Sequence, residues 1–185
     1  MYYLKQSHSI WLTGLPSSGK TTISKKLLNI LNKYFPLIIL DSDECNKFFY
    51  KKKNYSLVER KKSTLNFIKL TKILLRSKCI IIISANHACN FQRNLARKKI
   101  KKKYKEIWIH SSISKCKRRD VKKLFYKAKK GIVKNLIGYD LKFDKPLRYN
   151  LKVNTENNSL DICSKMIIKF LLKKKIIYAS KNKSK

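Results

Sequence analysis

The residues with the clearest chemical role lie in one glycine-containing segment near the start of the chain. Residues 14–21 fit the pattern G-x-x-x-x-G-K-[ST] at every fixed position. The glycines let the backbone turn tightly, so that successive amide N–H groups point at phosphate oxygens. The segment therefore predicts a loop that binds ATP with magnesium, through Gly14, Leu15, Pro16, Ser17, Ser18, Gly19, Lys20, Thr21 and Thr22. Lys20 is expected to reach the β- and γ-phosphates, and the Thr21 hydroxyl to bind Mg²⁺.

A pair of carboxylates, Asp41 and Asp43, follows a short apolar run. The chain has only ten acidic residues, and ligands of open α/β sheets bind at the carboxyl ends of strands. Asp43 can accept a proton from a substrate hydroxyl or bind Mg²⁺, and phosphoryl transfer requires both roles. The alternative is helix capping, because aspartate before a helix over residues 44–49 is a favourable N-cap. One carboxylate can serve both purposes.

The segments around these residues alternate between strand and helix. Apolar runs predict strands over residues 9–13, 37–40, 79–84, 106–110 and 151–153. Helical spacing predicts helices over residues 21–34, 57–77, 90–99, 113–130 and 160–172. This order is typical of a P-loop NTPase-type, three-layer α/β/α fold with a mainly parallel five-stranded sheet. The glycine-containing segment lies between a strand and a helix, which disfavours the alternative of an ordinary turn.

The predicted organisation is one domain over residues 1–172, followed by a basic tail over 173–185 that we expect to be frayed. Residues 130–150 show no clear periodicity and are interpreted as a loop. Long loops in compact enzymes are often lids, so we expect this one to close over the site.

The composition is strongly basic, with 46 lysines and arginines against 10 acidic residues and a net charge of +36. Basic proteins often bind nucleic acid, because lysine and arginine release counterions from phosphates. Here only seven of the basic residues are arginine, the charge is spread along the chain, and no nucleic-acid module is recognisable. We therefore expect no specific nucleic-acid partner. A decayed basic module that binds nucleic acid is kept as an alternative.

The cellular compartment is inferred from apolar runs and cysteines. No run of 18 apolar residues occurs and no secretory signal is recognised, so no membrane association is expected. Five scattered cysteines without a C-x-x-C pair favour a reduced compartment and no structural zinc. The cytoplasm is the expected location.

Taken together, the motifs resemble those of the adenylylsulfate kinase family, over about residues 10–177. The family's GLSGSGKST is similar to residues 14–22, its LDGDN to residues 40–44, and its FSxxDR to residues 55–60. Its stretch CxARDxKxLYxKAxxGxxxNFTGxD resembles residues 116–140, and its YExP resembles residues 143–146. Few other P-loop kinases carry the long stretch, so it discriminates best after the loop.

The resemblance implies transfer of the ATP γ-phosphate to the 3′-hydroxyl of adenosine 5′-phosphosulfate, with Mg²⁺, in sulfate activation. It implies that Arg119 stacks on the ATP adenine and that Asp43 receives the 3′-hydroxyl proton. The implied catalytic set is Lys20, Asp43 and Lys127, with Lys127 in the lid, and the implied metal ligands are Thr21 and Asp43. The implied acceptor-binding set is Asp41, Asp43, Tyr55, Arg60 and Leu136; Arg60 would hold the phosphosulfate and Tyr55 would stack on its adenine. Without the resemblance, Arg119 and Lys127 would be interpreted as solvated charges and Tyr55 as a core aromatic.

The departures from the family pattern concentrate on the acceptor side. Asn46 stands where the family usually has arginine, Ser63 replaces an asparagine, and Leu136 replaces a phenylalanine. The family's SPxR is replaced by residues 87–90, whose His87 is either a substrate contact or a drifted position. Losing an arginine contact to an oxyanion costs about 1.5–3 kcal/mol. A kinase acting on another nucleotide or small-metabolite hydroxyl therefore stays open, as does the oligomeric state, a homodimer included.

Overall fold

The computed structural model describes residues 1–49 and 55–180. Its strands are β1 (Tyr2–Leu4), β2 (His8–Thr13), β3 (Leu37–Asp41), β4 (Ile80–Ser84), β5 (Tyr104–His110), β6 (Leu151–Asn154) and β7 (Ile177–Ala179). Its helices are α1 (Lys20–Leu31), α2 (Ser42–Phe49), α3 (Leu57–Leu74), α4 (Asn90–Ile100), α5 (Ile113–Arg119), α6 (Leu124–Lys129) and α7 (Leu160–Lys173), with a 3₁₀ turn at Lys101–Lys103.

The main sheet has five strands in the order β3-β4-β2-β5-β6, and every neighbouring pair is parallel. The predicted five-stranded parallel sheet is thus confirmed. Parallel strands are covered on both faces, so they are expected to be apolar throughout. Residues 80–83, four consecutive isoleucines, are fully buried for this reason.

Alternate residues of each strand point to opposite faces and build two separate cores. Ile10 and Leu12 pack with the apolar residues of α1 and α7 on one face. Trp11 packs on the other face with Phe67 of α3 and Ala96 of α4. Helices therefore cover both sides of the sheet, as the three-layer α/β/α prediction requires.

The end of the chain differs from the sequence prediction. Residues 173–180 were expected to be frayed, but β7 pairs antiparallel with β1 in a separate two-stranded sheet. Ile176 and Ile177 are completely buried in the core beside α7, and this burial holds the segment in place. The remaining residues of the predicted tail, 181–185, lie outside the described part of the chain.

The helix predicted over residues 113–130 is interrupted. α5 ends at Arg119 and α6 begins at Leu124. The Asp120 carboxylate accepts hydrogen bonds from the amides of Leu124 and Phe125, at 2.8 Å each, and so caps the second helix. The Asp120 carboxylate therefore stabilises the turn between α5 and α6.

The segment predicted as a lid, residues 130–150, contains no regular helix or strand. It nevertheless packs through its own small core, in which Leu136 and Ile137 contact Leu15, Phe125 and neighbouring apolar residues. Because Leu15 belongs to the glycine-containing loop, this core joins the segment to that loop. Among the described residues, no helix has the length and apolar content needed to cross a membrane.

Candidate active site

A cavity of about 730 Å³ opens at the carboxyl edge of the main sheet. Its size is in the range of small-molecule sites. Its walls come from the loop before α1, from α2 and α3, from the segments after β4 and β6, and from the α5–α6 connection. Arg119 and Thr155 line this cavity, as do Asn46, Tyr55 and Arg60. We call the part beside Arg119 and Thr155 the donor half and the part beside Asn46, Tyr55 and Arg60 the acceptor half, after the roles that the sequence resemblance implies.

The loop between β2 and α1 has the backbone geometry that its glycines allow. A Cβ atom at Gly14 would collide with the carbonyl oxygen of Ile109. Gly19 has a φ angle of 97°, a left-handed conformation that side chains disfavour. These two positions explain why the pattern needs glycine, and the α1 amides that follow can bind an anion.

The Lys20 ammonium lies inside this loop. It donates hydrogen bonds to the carbonyl oxygens of Gly14 at 3.0 Å and Leu15 at 2.7 Å. The side chain is buried, and burial lowers the pKa of Lys20 to about 8. A buried ammonium held mainly by carbonyl dipoles favours the approach of phosphate.

A cluster of oxygen atoms suited to magnesium surrounds Thr21. Its hydroxyl donates to Asp41 Oδ2 at 2.8 Å and lies 3.4 Å from the Ser84 hydroxyl. Magnesium prefers hard oxygen ligands and usually takes only one or two from protein, so these groups fit the ion. No group of three or more His, Cys, Asp or Glu side chains suited to a metal occurs in the described part of the chain.

The two aspartates take different places from those expected. The sequence resemblance predicted Thr21 and Asp43 together as metal ligands. In the structure, Asp41 accepts a hydrogen bond from the Thr21 hydroxyl, and Asp43 forms an ion pair with Lys122. The capping role also belongs to Asp41, because its Oδ1 accepts the Asp43 amide at 2.9 Å. The helix begins at Ser42, two residues earlier than predicted from the sequence, so Asp43 lies inside it.

Arg119 lines the cavity beside the glycine-containing loop. Its guanidinium donates to the hydroxyl and carbonyl of Thr155, at 3.2 Å and 2.6 Å. The Thr155 hydroxyl in turn donates to the Ser18 carbonyl at 2.9 Å, which connects Arg119 to the loop. Sequence reasoning missed Thr155, as well as Val121, Asn158, Leu160 and Cys163 in the same wall. The signal for Thr155 was its position directly after a strand, where ligands of such sheets bind.

Three predicted acceptor residues meet in the other half. Arg60 is almost fully buried; its Nε donates to the Tyr55 carbonyl at 3.0 Å and its Nη2 to the Asn135 carbonyl at 2.9 Å. Tyr55, Arg60 and Leu136 all line the cavity. Arg60 therefore joins the start of α3 to the lid segment. Asn46 also lines the cavity and accepts a hydrogen bond from Ser63 at 3.3 Å.

The structure does not bring Lys127 to the cavity. α6 turns Phe125 and Ala128 inward to pack on the lid core, and Lys127, on the other side of the helix, is exposed. Lys122 from the α5–α6 connection lines the cavity. The lid role of Lys127 therefore stays a prediction, and in this structure Lys122 is the lysine of the two that lines the cavity.

Arg93 and Arg97, two arginines that follow the altered segment, serve the scaffold. Glu106 on β5 is buried and forms ion pairs with Arg93 at 3.4 Å and with Arg97 at 2.5 Å. Arg93 also donates to the Asp144 carbonyl at 2.7 Å, and so fixes the lid segment to α4. A buried charge needs such partners, because an unpaired one is strongly destabilising.

Comparison with known proteins identifies relatives over most of the chain. A model of the adenylylsulphate kinase family matches residues 6–154, which is more than half of the chain. The adenylyl-sulfate kinase of Pseudomonas aeruginosa is 30% identical over 164 residues, covering 88% of this chain and 84% of that protein. The adenylyl-sulfate kinase of Saccharomyces cerevisiae is 29% identical over 173 residues, covering 91% of this chain and 86% of that protein.

Solved structures share the fold. An APS kinase from Mycobacterium tuberculosis, solved in complex with AMPPNP and APS, matches with a TM-score of 0.84 at 23% identity. The match covers 90% of this chain and 98% of that one. A gluconokinase from Sinorhizobium meliloti matches with a TM-score of 0.62 at 13% identity, over 90% of this chain and 92% of that one. At these identities the two structures support the architecture alone.

Proposed function

Because the chain belongs to the adenylylsulfate kinase family, we propose that it transfers the γ-phosphate of ATP to the 3′-hydroxyl of adenosine 5′-phosphosulfate. The product is 3′-phosphoadenylylsulfate, and the reaction is a step of sulfate activation. One observation carries the proposal: a single cavity joins the phosphate-binding loop to Tyr55, Arg60 and Leu136. Donor and acceptor can therefore meet within it.

In the donor half, the protein positions ATP and neutralises its charge. The loop amides and the Lys20 ammonium surround the phosphates, and Arg119 stacks on the adenine through its planar guanidinium. Leu160 and Val121, in the same wall, supply apolar surface for the base. The Thr21 hydroxyl and the Asp41 carboxylate hold Mg²⁺, which when bound offsets charge on the phosphate oxygens.

In the acceptor half, Asp43 is the general base that receives the 3′-hydroxyl proton. Its ion pair with Lys122 holds the carboxylate at the cavity wall. Arg60 keeps further N–H donors for the phosphosulfate beyond the two that bind carbonyl oxygens. Tyr55 stacks on the acceptor adenine, and Leu136 offers an apolar surface to the same base.

The reaction takes place in the cytoplasm under this proposal. The five cysteines, all within the described residues and all free, support a reduced compartment.

A coupled assay with ATP, Mg²⁺ and adenosine 5′-phosphosulfate tests the activity directly. We expect formation of ADP and 3′-phosphoadenylylsulfate in equal amounts. ATP binding without product at millimolar acceptor would contradict the proposal and favour a kinase for another nucleotide or small-metabolite hydroxyl. Salt-dependent, sequence-independent DNA binding without kinase activity would instead favour a basic nucleic-acid-binding module.

A further inference from the structure

His87 lies in the cavity wall three residues after the end of β4, in a left-handed backbone conformation that is uncommon for residues other than glycine. Its φ angle is 37°, and only 5% of the residue is exposed. Its carbonyl oxygen accepts hydrogen bonds from the Thr13 hydroxyl at 3.1 Å and from Arg93 at 2.6 Å. Two separate elements therefore hold a strained backbone, and such strain persists mainly at functional sites.

The ring of His87 is fixed as firmly as its backbone. Its centroid lies 4.8 Å from that of Trp11 and 5.9 Å from that of Phe67. The Nδ1 atom is buried, and no hydrogen bond of regular geometry to it is found among the described residues, although the Ala85 carbonyl interacts with the ring. Because Nδ1 is out of a ligand's reach, a ring that lines the cavity can offer only its other nitrogen, Nε2, to a ligand that enters.

The surroundings of His87 determine which group it can bind. Burial, and then the charges of Arg93 and Lys20, lower the pKa of His87 to about 3, against the opposing effect of the Ala85 carbonyl. The imidazole is therefore neutral, with one nitrogen as donor and the other as acceptor. Lys20 and Arg93 already supply positive charge here, so a neutral ring suits an uncharged polar group such as a sugar hydroxyl.

His87 also has the right position between the two halves of the cavity. Thr13, which binds its carbonyl, ends the strand that leads into the phosphate-binding loop. Phe67, which packs on its ring, belongs to the helix that carries Arg60 in the acceptor half. The ring thus lies between the strand that leads into the phosphate-binding loop and the helix that carries Arg60.

We propose that His87 binds the ribose of the nucleotide acceptor through a hydrogen bond from its neutral imidazole, an inference that rests on the function proposed above. His87 belongs to residues 87–90, the segment that departs from the family's SPxR pattern. The contact makes His87 a residue that contributes to acceptor specificity in this chain.

Steady-state kinetics of two variants test the contact. His87→Phe keeps an aromatic ring between Trp11 and Phe67 but removes both nitrogens. We expect it to raise the KM for adenosine 5′-phosphosulfate about tenfold, the usual effect of one lost hydrogen bond, while the KM for MgATP stays unchanged. His87→Asn should recover most of the loss, because asparagine tolerates positive φ and keeps a donor and an acceptor. His8→Phe is the matched control, since His8 is also buried but lies at the opposite end of β2.

A spectroscopic measurement gives a second readout that does not depend on turnover. The chain has only three histidines, so the ring nitrogens of protein labelled with ¹⁵N-histidine can be assigned with the same two Phe variants. Addition of adenosine 5′-phosphosulfate should shift the His87 signals and leave those of His8 in place.

Three results would overturn the inference. An unchanged acceptor KM in a stable His87→Phe variant would show that the ring only packs. If that variant does not fold, the wild-type spectrum decides. His87 signals that do not move on acceptor binding would show that the ring only packs. A wild-type protein that neither binds nor phosphorylates adenosine 5′-phosphosulfate would refute the proposed function, and this inference with it.

Discussion

The donor and acceptor halves of the cavity are built in different ways. The donor half depends on consecutive residues, Gly14 to Thr22, whose backbone amides and Lys20 make the contacts. The acceptor half depends on side chains from distant segments, such as Asn46, Tyr55 and Arg60. Backbone contacts survive most substitutions outside the glycines, whereas each side-chain contact is lost with one substitution. The departures from the family pattern described above fall in the half that depends on single side chains.

The scaffold next to the acceptor half is built from residues other than those expected to contact the acceptor. Glu106 binds Arg93 and Arg97, and Arg93 donates to the Asp144 carbonyl of the lid segment. The shape of this half is therefore maintained by buried ion pairs, even though Asn46 and Ser63 offer shorter side chains than the family pattern. A substitution at Asn46 or Ser63 that adds a contact to the acceptor would therefore act within a pocket of unchanged shape.

The largest expected effect separates the two aspartates. Asp43→Asn should lower kcat about 10²- to 10⁴-fold, because it removes the general base. Asp41→Asn should mainly raise the Mg²⁺ concentration needed for half-maximal rate, since Asp41 accepts the Thr21 hydroxyl. Asparagine is an equally good N-cap, so α2 should form in this second variant. The measurement is kcat as a function of Mg²⁺; an equally large loss for Asp41→Asn at saturating Mg²⁺ would contradict the division of roles.

A second effect tests the donor half through its lysine. Lys20→Ala should lower kcat about 10²- to 10³-fold, because one charged contact to the transferred phosphate is lost. The melting temperature should not fall, since Lys20 contacts the loop and not the apolar cores. Lys127→Ala is the matched control and should keep full activity, because that side chain is exposed outside the cavity. Lost activity in Lys127→Ala would confirm the catalytic role that the sequence analysis predicts for Lys127.

A smaller effect tests the acceptor half. Asn46→Arg should lower the KM for adenosine 5′-phosphosulfate about tenfold, the gain from one charge-assisted contact to an oxyanion. Phe48→Arg adds the same charge to α2 on a side chain that is 88% exposed, and it should leave the KM unchanged. Equal effects of the two variants would attribute the gain to net charge. No effect of either would indicate a different acceptor.

The smallest expected effect is proton uptake by Lys20 when ATP binds. The pKa of Lys20 is about 8 before nucleotide binds, and phosphate beside the ammonium favours its charged form. ATP binding at pH 9 should therefore take up part of a proton at Lys20, and affinity should fall as pH rises above 8. Calorimetry in two buffers of different ionisation enthalpy measures the uptake. Lys20→Met should bind ATP without this part of the proton uptake, and equal uptake by both proteins would assign it to another group.

Prediction from sequence succeeded where the signal was local. The strand, glycine loop and helix around Lys20 were found from one motif and its flanking apolar runs. The buried strands were found because parallel strands covered on both faces are continuous apolar runs. The pairing of β1 with β7 was missed, because it joins residues at the two ends of the chain and neither segment has a strong pattern.

By itself, the sequence determined the phosphate-binding loop, the parallel sheet and the family. These depend on residues close together along the chain, whose spacing sets backbone geometry directly. Only the tertiary structure decided that Asp41 joins Thr21, that Lys122 lines the cavity, and that Arg93 serves the scaffold. The physical reason is that a side chain's role depends on its partners, which are distant along the chain. Asp41 is 20 residues from Thr21, and Glu106 is 13 residues from Arg93.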